Sequence, residues 1–82
     1  MTENEIREAI FDAVGRIAPE ADPGALRDGD DLRRALDIDS FDYLNLLIGL
    51  HERLGVEIPE ADYGRLTTLG AMVKYLSGKL TP

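Results

Sequence analysis

Leu36-Asp37-Ile38-Asp39-Ser40-Phe41-Asp42-Tyr43-Leu44-Asn45-Leu46-Leu47-Ile48-Gly49-Leu50-His51-Glu52-Arg53-Leu54-Gly55 is the run on which the fold turns. From Ser40 onward apolar residues fall at 44, 47, 48, 50 and 54, no proline intervenes before Pro59, and Gly55 supplies a stop, so the run reads as a helix. At about 100° per residue, Phe41, Leu44, Leu46, Leu47, Ile48, Leu50 and Leu54 spread over more than half of its circumference. Asp42, Asn45, Gly49, Glu52 and Arg53 are left as a narrow stripe for water. A surface helix needs an apolar stripe only somewhat wider than about 100°. The expectation is therefore a central helix covered from more than one side.

Its start is equally informative. Asp39 is a good N-cap, and Asp42, three positions on, resembles the acidic member of a capping box, so both carboxylates are expected to meet free N–H groups of the first turn. With Asp39 as cap, Ser40 is the first helical residue. Its hydroxyl then stands outside the hydrogen-bond ladder, at a positive helix end, on an exposed corner.

Outward from this helix, Thr2 and Glu5 have capping-box spacing, and Ile6, Ile10, Val14 and Ile17 recur at helical steps with Phe11 widening the face. This first amphipathic helix ends near Ala18, because the residue before Pro19 avoids helical geometry. The segment from Pro19 to Arg34, with two prolines, two glycines and Asp28, Asp30 and Asp31, reads as one long connection. So long a loop needs apolar pins, and Leu26, Leu32, Leu36 and Ile38 are the candidates. Beyond the central helix, Gly55 suits a left-handed C-cap, Val56 to Ile58 is extended before Pro59, and Glu60 to Arg65 makes a short helix. Thr67 or Thr68 then caps a last helix with Leu69, Met72, Val73, Leu76 and Leu80 on one face. The expected fold is all-α: a small, irregular antiparallel bundle of three main helices and one short one, with a long loop after the first.

Eighty-two residues make one domain, 1–82, which buries about 60–65 % of its unfolded surface and has no room for a large catalytic cleft. Cysteine is absent, which removes disulfides and thiolate chemistry and suits a reducing cytoplasm. The polar N-terminus and the lack of any long apolar run predict neither a signal peptide nor membrane insertion. A net charge of −7, from 16 acidic and 9 basic residues, argues against nucleic acid and for basic protein partners.

Two chemistries fail on geometry. The sole histidine, His51, is eleven positions along the helix from Ser40, roughly 16 Å at about 1.5 Å per residue. No internal base reaches that hydroxyl, so a serine hydrolase is excluded and His51 reads as a packing or interface residue. The aspartates around Asp37 also miss the EF-hand pattern: position 5 is Phe41 and position 12 is Ile48. No metal site is expected.

The run Leu36-Asp37-Ile38-Asp39-Ser40-Phe41-Asp42, with Leu46, Leu50, Leu54-Gly55-Val56-Glu57-Ile58-Pro59 and Leu66-Thr67-Thr68-Leu69 downstream, resembles the acyl carrier proteins over nearly the whole chain. The family pattern is Asp-Ser-Leu at this helix start and an aliphatic-x-Ile-Pro sequence after it. The resemblance implies that Ser40, flanked by Asp39 and Phe41, carries 4′-phosphopantetheine as a phosphodiester. Acyl groups would be loaded on its thiol as thioesters, in fatty-acid, polyketide or specialised lipid biosynthesis. It also implies a monomeric carrier and no enzyme. Its partners would be a phosphopantetheinyl transferase and acyl-loading and acyl-processing enzymes with basic surfaces, reading Asp42, Asn45, Gly49, Glu52 and Arg53. Phe41 replaces the usual leucine, and Asn45, His51 and Arg53 stand where glutamate is frequent, which favours a specialised carrier. The nearer alternative is a peptidyl or aryl carrier, sharing the arm but loaded with amino or aryl acids; Asp39 favours the acyl type, since peptidyl carriers more often have histidine before the serine. The alternative outside the family is an unmodified acidic interaction module.

Overall fold

The computed structural model describes residues 2–80; Met1, Thr81 and Pro82 of the expected domain lie outside the described residues. Helix α1 spans Glu3–Ile17, α2 Leu32–Ala35, α3 Ser40–Leu54 and α4 Leu69–Leu80, with 3₁₀ turns at Pro23–Ala25 and Glu60–Arg65. The fold is thus all-α, and α1 packs against both α3 and α4. No described helix is long and apolar enough to cross a membrane.

Local chemistry accounts for the helix ends. At α1, Thr2 Oγ1 accepts from the Glu5 amide at 3.2 Å and Glu5 Oε1 accepts from the Thr2 amide at 2.9 Å, completing the capping box. The Thr2 amide first, and the Thr2 side chain second, hold the Glu5 carboxyl below its ordinary value. Gly55 closes α3 at φ 66°, the left-handed geometry that favours glycine. Of the two threonines offered for α4, Thr68 is the cap: its Oγ1 accepts from the Ala71 amide at 3.2 Å.

The connection after α1 needs correction. It is not structureless, because Asp22 caps the turn at Pro23–Ala25 and Asp31 caps α2, each aspartate satisfying one free amide. The segment is also fastened to the start of α4. Leu32 donates to the Thr67 carbonyl at 2.9 Å, Leu69 to Asp30 at 3.3 Å and Gly70 to Asp28 at 2.8 Å. Arg7 of α1 grips the Asp28 carboxylate with both terminal nitrogens, at 2.6 and 3.1 Å. As expected, Leu32 and Leu36 are buried, and Leu26 and Ile38 pack against the core.

A single cluster forms that core. Ile6, Ala9, Ile10, Ala13 and Val14 of α1 meet Leu46, Leu47 and Leu50 of α3 and Leu69, Met72, Val73 and Leu76 of α4. The expected apolar arc of α3 is not covered throughout. Phe41 is 70 % exposed, Ile48 43 % and Leu44 36 %, while Tyr43, which the sequence reading did not name although it falls within the same arc, is 8 % exposed. Helix α3 packs chiefly against α1, and also against α2, and these leave part of its apolar surface uncovered. Tyr43, Leu46, Leu47 and Leu50 fill the covered side at ordinary helical spacing. Tyr43 is able to go inside because its hydroxyl donates to the Tyr63 carbonyl at 3.3 Å. Burial pushes that phenol up to about 12, with Asp31 adding to the effect.

Candidate functional site

Ser40 is the first residue of α3 and is exposed. Asp39, with extended backbone at φ −90°, turns its carboxylate over the helix end, and Oδ1 accepts from the Asp42 amide at 2.9 Å. Among the described residues Asp42 makes no reciprocal side-chain bond; aspartate is one methylene shorter than the glutamate that completes the box at α1. One carboxylate therefore does the capping that two were expected to share. Ser40 Oγ has no hydrogen-bond partner among the described residues. Its hydroxyl is free to take a substituent.

The chain reaches this corner through a tight reversal. Asp37 takes φ 53°, a left-handed geometry that aspartate tolerates better than most non-glycine residues, and Ile38 donates back to the Arg33 carbonyl at 3.0 Å. The sequence reading did not anticipate this. Beside Ser40 lies an open groove of about 590 Å³ lined by Arg33, Tyr43, Leu44, Glu60, Tyr63, Gly64 and Thr67. A small substituent on Ser40 thus has both an unencumbered oxygen and adjacent space.

The expected polar stripe is only partly a free face. Asn45, Gly49 and Arg53 border α1, sharing a small cleft of about 50 Å³ with Ala13, Arg16 and Ile17, and Arg53 Nη1 pairs with Asp12 Oδ2 at 2.8 Å. Asp42 is half-buried and Glu52 is exposed. On another side of α3, Phe41, Leu44 and Ile48 form an exposed apolar strip at steps of three and four, beginning next to Ser40. That strip was missed because the sequence reading assigned it to the core. The signal was present in Tyr43, Leu46, Leu47 and Leu50, which already make a complete buried stripe.

His51 sits on the last turn of α3 with Nδ1 2.6 Å from the Val56 carbonyl. A carbonyl only accepts, so Nδ1 carries the proton and serves the helix end rather than Ser40. Among the described residues no three His, Cys, Asp or Glu side chains are placed to hold a metal ion. The arrangement presents an alcohol to which no described residue is hydrogen-bonded.

Comparisons with known proteins bear on the family. A family model described as a phosphopantetheine attachment site matches residues 5–76. The chain is 34 % identical over 77 residues to an acyl carrier protein of Lactobacillus johnsonii, covering 93 % of this chain and 94 % of that one. It is 28 % identical over 71 residues to an acyl carrier protein of Wolinella succinogenes, covering 83 % and 93 %. A Lactobacillus acidophilus acyl carrier protein is 29 % identical over 76 residues, covering 93 % and 94 %. With an open serine at a capped helix start, a helical frame built to hold it, and these relatives along its length, the chain belongs to the acyl carrier protein family, whose prosthetic group is covalent 4′-phosphopantetheine.

Proposed function

We propose that the chain is a monomeric, cytoplasmic acyl carrier modified at Ser40. The observation that carries this is the free, exposed Ser40 hydroxyl at the N-terminus of α3, left open because Asp39 does the capping. Ser40 Oγ attacks a phosphorus of the coenzyme A pyrophosphate within a phosphopantetheinyl transferase. An O–P bond forms, the P–O bond to the nucleotide half breaks, and the hydroxyl proton passes to a base of that enzyme. When attached, the group supplies a thiol for thioester chemistry. This chain's own residues position it: α3 sets the direction of Ser40, and partner enzymes grip Phe41, Leu44 and Ile48 together with Asp42, Asn45, Gly49, Glu52 and Arg53.

The phosphodiester gains about 0.3–1 kcal/mol from the α3 N-terminus. Asp39 and Asp42 oppose it by a comparable, solvent-screened amount. The terms nearly cancel, which supports an arm that is tethered but swings. The acyl character of the cargo is supported by the three relatives' names and by Asp39 before the serine. The pathway is one of fatty-acid, polyketide or specialised lipid synthesis.

Intact-mass measurement after incubation with coenzyme A and a broad-specificity transferase tests the reading. The expected result is one added phosphopantetheine on the parent chain and none on Ser40→Ala. No addition to the parent, or addition to the alanine variant, overturns it.

A further inference from the structure

Charge is divided along this chain. All 16 acidic residues lie at or before Asp62, whereas Arg65, Lys74 and Lys79 follow with no carboxylate side chain after them. Folding brings two of these cations to one ring and the third into the same groove. The Arg65 guanidinium lies 5.7 Å and Lys79 Nζ 5.4 Å from the centroid of Tyr75. With Lys74, Ala71 and Gly78 they line an open groove of about 550 Å³ between α4 and the Glu60–Arg65 turn.

One carboxylate lines this groove, and it is already engaged. Asp62 Oδ2 accepts from the Tyr75 hydroxyl at 2.6 Å, and Asp62 Oδ1 stands 3.9 Å from Arg65 Nη1. Partial burial and that hydrogen bond push the Tyr75 phenol up to about 12, so the ring adds no negative charge at neutral pH. Lys74 and Lys79 have no ion-pair partner among the described residues. Arg65 and Lys79 face the Tyr75 ring, and of the three cations Arg65 alone has a carboxylate within ion-pair distance among the described residues.

We propose that this groove docks a short acidic segment of a partner protein. Charge complementarity selects the occupant: three cations match two or three carboxylates, and the groove is no larger than a few residues require. A long polyanion such as nucleic acid would also meet the acidic remainder of a chain of net charge −7. The Glu60–Arg65 turn separates this surface from the serine. Its Glu60, Tyr63 and Gly64 line the groove beside Ser40, and its Asp62 and Arg65 line the cationic one. A partner held here leaves Ser40 and α3 open to a second enzyme. The surface does not depend on Ser40 being modified.

The test is a titration of the ¹⁵N-labelled full chain with a hexaglutamate peptide at low ionic strength, followed by amide shifts. Expected are saturable shifts centred on Arg65, Lys74, Tyr75 and Lys79, unchanged Ser40 and Phe41, and loss of binding in high salt. An exposed ion pair is worth up to about fivefold in affinity, so Lys74→Glu with Lys79→Glu should weaken binding by about 5–25-fold. Lys74→Arg with Lys79→Arg should retain it. Far-UV circular dichroism checks the fold, and Lys74→Gln with Lys79→Gln replaces the glutamate pair if that pair unfolds. Absent or scattered shifts, equal binding by the charge-removed variant, or tighter binding of an oligothymidylate of equal charge overturns the proposal.

Discussion

The Asp42 amide donates to Asp39 Oδ1 at 2.9 Å, a cap that spans Ser40 without using its hydroxyl. Asp39→Ala should therefore lower stability by about 1 kcal/mol, within the 0.5–2 kcal/mol typical of a lost N-cap. Asp39→Asn, which keeps a capping oxygen, should lose only a fraction of that. Urea denaturation of the three chains measures both.

Ser40 and the leucines below it should separate function from folding. Ser40→Ala should change stability by no more than about 1 kcal/mol while abolishing attachment of the arm. Leu46 and Leu50 are fully buried, so alanine at either should cost about 2–5 kcal/mol. Intact mass reads the first effect and chemical denaturation the second.

Phe41 is 70 % exposed yet adjoins Ser40. Phe41→Ala should leave stability within about 0.5 kcal/mol of the parent. A transferase that must cover this residue to reach Ser40 Oγ should lose about tenfold in kcat/KM, about 1.4 kcal/mol of contact. Steady-state kinetics of arm attachment check this, and an unchanged kcat/KM would remove Phe41 from the docking surface.

Gly70 is required by a close approach. A Cβ built there would lie 3.0 Å from both the Cβ and the carbonyl oxygen of Asp28, the carbonyl to which the Gly70 amide donates at 2.8 Å. Gly70→Ala gains at most about 1 kcal/mol of helix propensity and less in a first turn, against about 1–3 kcal/mol for overpacking. The net expectation is a loss of about 1 kcal/mol in the thermal or urea transition.

The Arg7 guanidinium, bonded to both oxygens of Asp28, holds that carboxyl below its ordinary value of 3.8. A depressed folded value means that the contribution is present above pH 3.8 and lost as pH falls through the folded value. Asp28→Asn should be slightly less stable than the parent at neutral pH, the pair being exposed and screened. The difference between their urea midpoints should close in acid below pH 3.8; a gap that persists there would place the effect elsewhere.

What could be read from consecutive residues was the set of interactions reaching three or four positions. The caps at Thr2, Asp39 and Thr68, the glycine stop at Gly55 and the bounds of α1, α3 and α4 are all of that kind, because a helix end is satisfied by its own neighbours. The place of Ser40 follows from the same rule. Folding in three dimensions settled which of two apolar stripes on α3 is covered, burying Tyr43 and leaving Phe41, Leu44 and Ile48 outside. It also fastened residues 28–32 to the start of α4, paired Arg53 with Asp12, and brought Arg65, Lys74 and Lys79 into one groove with Tyr75. Those outcomes depend on where distant segments come to rest, and hydrophobic periodicity says which residues seek cover without saying which partner arrives to give it.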